Sequence, residues 1–166
     1  VHAQTTYLDA KIVPLKDLVR RVIYDRKLAI VAKNLRIEMN CENVAAYCDE
    51  DKIRVVLDNL LSNAVKFSPE RGLISIKLYK ERGDAVFEVL DEGPGIPEPE
   101  REKIFEAFYR GTETPVAAIK GSGLGLSIVK EYVTLHRGRI EVLEGPGAHF
   151  RIRLPRRQAD AKKAAA

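Results

Sequence analysis

Cysteine is scarce in this chain: Cys41 and Cys48 are the only two among 166 residues. Two thiols exclude a disulfide framework, and three scattered histidines, His2, His136 and His149, offer no zinc-binding spacing. Reduced, semi-buried thiols are the expectation. Long apolar runs are missing too, since no stretch approaches the roughly 20 residues of a membrane span. No secretory leader is visible, and the chain opens on Val1 without a methionine, which reads as a fragment of something longer. There is no G-x-x-x-x-G-K-[ST] loop and no H-R-D or D-F-G, the marks of Walker-type nucleotide sites and of serine/threonine/tyrosine kinases. One-sided charge is also lacking. Of the net +4, residues 156–166 carry +3 and the remaining 155 residues only +1, with both signs interspersed. A nearly neutral body with a basic tail argues against a nucleic-acid partner.

What is present suits one domain, with 45% hydrophobic and 31% charged residues. A chain of this size buries roughly 68–70% of its unfolded surface and needs no metal or disulfide staple. Apolar periodicity predicts a helix over 15–33, from Leu15, Leu18, Val19 and Val22 through Leu28, Ala29 and Ala32. Strands are predicted at 35–41 and up to Cys48, and Asp49 stands where an N-cap belongs before a helix over 50–67. Pro69 and Gly72 stop that helix, and strands 74–81 and 85–90 follow, joined through Arg82, Gly83 and Asp84. Residues 91–123 hold five glycines, four prolines and one short helical stretch near 99–107, the composition of a functional lid. A helix over 124–136, closed by Gly138, and strands 140–143 and 150–154 complete the chain. The pattern predicts an α/β (α+β) two-layer sandwich. Its mixed, largely antiparallel sheet has five or more strands, covered on one face by three helices.

Helix 50–67 places Asn59, Asn63 and Lys66 on one stripe beside its apolar face. A solvated helix edge is one reading. A phosphate and divalent-ion site is the other, because amide oxygens are hard neutral ligands suited to Mg²⁺ and Lys66 is a point charge for phosphate. From this helix alone the two readings stand about even. Asp91-Glu92-Gly93-Pro94-Gly95-Ile96-Pro97 leaves a strand end; beyond a simple turn, a carboxylate there can accept from a ligand amino group while Gly95 admits a planar ring. Gly121-Ser122-Gly123-Leu124-Gly125-Leu126 leads into a helix and exposes backbone N–H groups suited to anionic oxygens. The spacing is not that of a dinucleotide fold.

Taken together and in this order, Asn59/Asn63/Lys66, Asp91–Pro97, the run Ile104-Phe105-Glu106-Ala107-Phe108-Tyr109-Arg110, and Gly121–Leu126 resemble the N, G1, F and G2 boxes of bacterial sensor histidine kinases. The resemblance is to the ATP-binding catalytic domain and covers residues 12–155. It implies the Bergerat ATP-binding fold shared with gyrase, chaperone and mismatch-repair ATPases. Residues 1–11 would then be a linker remnant and 156–166 a basic, disordered tail.

By this resemblance, Asp91 takes the adenine amino group, with Gly93, Gly95 and Ile96 about the ring. Asn63 and Asn59 hold Mg²⁺ on the ATP triphosphate, and Lys66 reaches phosphate oxygens. Phe67 and Tyr109 flank the ribose and base. Gly121, Ser122, Gly123, Leu124, Gly125 and Leu126 cover the phosphates. Residues 98–122 form the ATP lid, anchored by Phe105 and Phe108, with Arg110 near the γ-phosphate. The ATPases of this fold carry a glutamate where Asn59 stands, and an amide cannot serve as the base that activates water. A histidine is therefore the expected phosphoryl acceptor. His2, His136 and His149 lack the family's H-[DE]-x-x-x-P context, so the acceptor belongs to a dimerisation and histidine-phosphotransfer helical domain outside this chain. The expected downstream partner is a response regulator. The parent chain is expected to be a homodimer and this fragment a monomer, cytoplasmic even if the sensor is membrane-anchored. The alternative is a nucleotide-binding regulatory module without phosphotransfer. Two features depart from the family pattern: Ala148 replaces a frequent Thr or Ser near adenine, and the lid stretch 114–119 is unusually apolar.

Overall fold

A computed structural model describes residues 7–107 and 125–156. The chain runs β1 (Ala10–Pro14), α1 (Leu15–Asp25), α2 (Lys27–Ala32), β2 (Arg36–Cys41), β3 (Ala45–Asp49), α3 (Glu50–Phe67), β4 (Leu73–Glu81), β5 (Asp84–Leu90), α4 (Gly125–Leu135), β6 (Arg139–Leu143) and β7 (His149–Leu154). Two 3₁₀ turns, Glu98–Glu100 and Lys103–Phe105, stand where a short helical stretch was expected. Five strands form one sheet in the order β2-β4-β5-β7-β6, with β2 and β4 parallel and every other pair antiparallel. The helices lie on one face of it, and the core fills the space between the layers: Leu18, Ile53, Leu60 and Leu61 from the helices meet Ile74, Ile76, Leu78 and Val89 from the sheet. Among the described residues no helix is long and apolar enough to cross a membrane.

Helix α3 is the element that carries the site, and its limits follow from side-chain chemistry. The Asp49 carboxylate accepts from the Lys52 N–H at 3.2 Å, capping the first turn, and Glu50 and Asp51 complement the positive helix end. Its buried apolar residues are Ile53, Val56, Leu57, Leu60, Leu61, Ala64 and Val65, with Ser62 buried beside them. The β4–β5 hairpin turns through Arg82 and Gly83, both at positive φ (53° and 87°), the geometry whose twist matches two antiparallel strands.

The structure departs from the periodicity in two places. The helix expected over 15–33 breaks at Arg26, whose φ of −100° and ψ of 9° lie off the helical values. Its guanidinium reaches across to clasp both Asp58 oxygens on α3, at 2.9 and 2.7 Å. Beyond the break the helix presents another face: Ile30 is buried, while Leu28, at the spacing of a core residue, is 80% exposed. A strand the pattern does not reveal, β1, pairs with β3 from Ala10↔Asp49 to Pro14↔Ala45 in a separate two-stranded sheet. Only Val13 of β1 is buried, which leaves no alternation to read.

Candidate functional site

The C-terminal half of α3, the loop leaving β5, the turn before β7 and the start of α4 converge. Asp91 lies just past the end of β5 and is 3% exposed. Its Oδ1 accepts from the Gly93 N–H at 2.9 Å and from the Ala148 N–H at 3.0 Å, while its own N–H donates to the Ala148 carbonyl at 3.0 Å. Oδ2 accepts no hydrogen bond among the described residues. Burial pushes the Asp91 carboxyl up from its ordinary range, opposed by the Gly93 and Ala148 N–H groups. The result is a buried carboxylate with one oxygen fixed and the other available to a donor such as an exocyclic amino group.

Glycines make this packing possible. A Cβ on Gly93 would stand 2.5 Å from the Phe67 carbonyl oxygen, and one on Gly147 would stand 2.0 Å from the Asp91 carbonyl oxygen. Gly95, at φ 76°, faces Gly147 of the turn before β7. Ile96 packs against the core, and its carbonyl accepts from Arg101 Nε at 3.1 Å, tying the first 3₁₀ turn to the loop.

On α3, Asn59 and Asn63 are half-buried and Lys66 is exposed, so the stripe lies at the rim of the buried face. The Asn59 amide nitrogen donates to the Val55 carbonyl at 2.8 Å, which leaves Oδ1 as its outward atom. That oxygen stands 2.9 Å from where a Cβ on Gly125 would be, so the first residue of α4 abuts the asparagine stripe. This arrangement fits a hard divalent cation held through amide oxygen and phosphate. Leu126 packs against the core, and Phe105 meets Phe150 edge-on at a centroid distance of 6.4 Å, which seats the second 3₁₀ turn against β7. Phe108, Tyr109, Arg110, Gly121, Ser122, Gly123 and Leu124 lie outside the described residues.

Two of the three histidines have partners within the fold. His136 accepts the Asp49 N–H on Nε2 at 3.0 Å and donates from Nδ1 to the Tyr132 carbonyl at 2.7 Å; burial lowers its pKa and keeps it neutral. His149 pairs with Glu88 at 2.7 Å on the sheet face away from the helices. Both thus have structural roles, as their sequence context suggests. His2 lies outside the described residues. Cys48 is buried, and desolvation pushes its thiol up to about 12, an inert group.

Sequence reasoning missed the main-chain contributions of Gly147 and Ala148. The Gly145-Pro146-Gly147 segment is legible as a turn, but only the β5–β7 register, with Leu90 opposite His149, brings residue 148 beside Asp91. It also missed Lys33, whose ammonium donates to three carbonyls at the end of α3.

Residues 48–158 match the model of the family described as histidine kinase-, DNA gyrase B-, and HSP90-like ATPase. The chain belongs to this family. As a member of an ATPase family it carries an ATP-binding fold, with the four boxes in the order that the resemblance requires. Among its relatives are the sensor histidine kinase TmoS of Ectopseudomonas mendocina, 42% identical over 131 residues, and WalK of Bacillus subtilis, 44% identical over 111. These alignments take in 75% and 64% of this chain but only 14% and 18% of the two relatives. Among solved structures, the nucleotide-free catalytic domain of the histidine kinase ThkA superposes with a TM-score of 0.80 at 28% identity, over 89% of this chain and 97% of that one. ShkA in complex with AMPPNP superposes at 0.76 with 29% identity, over 90% and 31%. ThkA in complex with the response regulator TrrA gives 0.77 at 28%, over 90% and 42%.

Proposed function

We propose that this chain is the catalytic domain of a two-component sensor histidine kinase, binding Mg-ATP and delivering the γ-phosphoryl group to a histidine of a dimerisation and phosphoacceptor domain in the parent chain. The observation that carries the reading is the Asp91 carboxylate, buried with Oδ1 fixed by two backbone N–H groups and Oδ2 left for the adenine amino group. Gly93, Gly95 and Ile96 lie about the base, with Phe67 and Tyr109 beside the ribose. Asn63 and Asn59 would hold Mg²⁺, which supplies charge neutralisation on the triphosphate. Lys66, Arg110 and the backbone N–H groups of 121–126 grip phosphate oxygens, with Gly125 already against Asn59.

Asn59 directs the outcome of binding. An amide cannot take a proton from water, so this chain contributes grip and alignment and leaves attack to the acceptor imidazole. ThkA was solved with a response regulator, which supports such a protein as the downstream partner of this one. A cytoplasmic setting, and a homodimeric parent with a monomeric isolated domain, complete the proposal.

Calorimetric titration tests the site. We expect micromolar to sub-millimolar, Mg²⁺-dependent ADP or ATP binding that is lost in Asp91→Asn and in Asn63→Ala. Unchanged affinity in both variants would overturn the assignment.

A further inference from the structure

The last turn of any helix leaves four carbonyls without intrahelical partners. In α3, whose ladder closes at Ala64, these belong to Val65, Lys66, Phe67 and the cap residue Ser68. The Ala64 carbonyl accepts the Ser68 N–H at 3.0 Å. The Val65 and Lys66 carbonyls accept from Lys33 Nζ at 2.7 and 3.0 Å, and the same ammonium donates to the Ser68 carbonyl at 2.7 Å. All three of its donors are thereby used, at the negative end of the helix dipole. The remaining carbonyl, that of Phe67, lies against Gly93, where any Cβ would approach within 2.5 Å.

Lys33 also acts through its main chain. Its carbonyl accepts the Arg71 N–H at 2.8 Å, and Arg36 donates its N–H to the Gly72 carbonyl at 2.9 Å, so the connection from α3 to β4 is sewn to the end of α2. Two residues on, the Leu73 N–H donates to Glu92 Oε1 at 2.7 Å, tying that connection to the loop that carries Asp91. A continuous set of contacts therefore runs from Lys33 through the end of α3 to Gly93, whose N–H holds Asp91 Oδ1.

We infer that Lys33, which lies outside all four boxes, is a positioning residue for the nucleotide site: its ammonium fixes the last turn of α3, with Lys66 and Phe67, against the Asp91–Gly93 loop. The inference rests on the proposed nucleotide site for its functional consequence. Its structural content, that Lys33 orders the loop, stands apart from any ligand.

The test uses Lys33→Met, which keeps the stem and removes the charge, Lys33→Arg, and Asp49→Ala, which uncaps the opposite end of α3. In Lys33→Met we expect Mg-ADP binding weakened roughly three- to thirtyfold, the range of mutations acting on a site through packed neighbours. Lys33→Arg should recover part of the loss, since a planar guanidinium reproduces a tetrahedral donor set incompletely. Asp49→Ala should lower thermal stability and leave the affinity unchanged. Amide exchange at Gly93 and Ala148 in nucleotide-free protein should accelerate in Lys33→Met and not in Asp49→Ala. A folded Lys33→Met protein with wild-type affinity and wild-type exchange would overturn the inference, as would equal weakening by Asp49→Ala. If the wild-type chain binds no Mg-ADP, the proposed function fails and the exchange rates still decide the role of Lys33: faster exchange at Gly93 sustains it, and unchanged exchange overturns it.

Discussion

Burial raises the Asp91 carboxyl above its ordinary range, and two backbone N–H groups on Oδ1 offset that only in part. The sign of the stability effect follows. The folded state holds the Asp91 proton more tightly than the unfolded chain, whose aspartates titrate near about 3.9. Stability from this group is therefore complete below that pH and is lost as pH rises through the folded pKa, so at neutral pH the charge is a net cost. Asp91→Asn keeps an oxygen for Gly93 and Ala148 and removes the charge, but it turns the Oδ2 position into a donor. We expect the variant to melt at or above the wild-type temperature at pH 7, with the difference vanishing near pH 4, while nucleotide binding is lost. Thermal scans across pH check the first part. A variant less stable than wild type at pH 7, with the deficit shrinking toward pH 4, would show that the ionised carboxylate stabilises the fold.

At the scale of elements, α3 was legible because three independent signals agree: Asp49 at the cap, a single apolar face, and Pro69 with Gly72 beyond the end. The α1–α2 break was not: it falls at Arg26, which pairs with Asp58 on another helix, and no glycine or proline marks it in the sequence. Nor was β1, a short strand with one buried residue. In the candidate site, order and residue type single out Asn59, Asp91, Gly93 and Gly95, which the structure brings near one another, whereas the Gly147 and Ala148 contacts depend on strand register, which no local pattern fixes. That register yields a sharp contrast. Gly147→Ala would drive a Cβ to 2.0 Å from the Asp91 carbonyl oxygen, whereas a Cβ on Gly145 meets nothing nearer than 3.6 Å. We expect Gly147→Ala to cost about 3 kcal/mol or more in chemical denaturation, the upper range for overpacking. Gly145→Ala should stay near wild type. Similar losses in both would mean that the turn, rather than its approach to Asp91, sets the stability.

Across the described residues, the helices and sheet form a platform that brings the asparagine stripe, the Asp91 loop and the start of α4 to one place. The net charge of +4 has little bearing on the partner, because most of it sits in residues 156–166. The cations that matter in the proposal are single residues, Lys66 and Arg110 for phosphate, while Lys33 donates to helix carbonyls. In the proposed reaction Asn59 bars hydrolysis and a histidine outside this chain is the acceptor. The direct measurement combines the chain, ATP labelled at the γ-phosphate, Mg²⁺ and the parent protein's phosphoacceptor domain. Acid-labile, alkali-stable label on that domain, with little inorganic phosphate released by the chain alone, is the predicted result. Rapid release of phosphate by the chain alone, or no label on the acceptor domain while ATP binds, would contradict it.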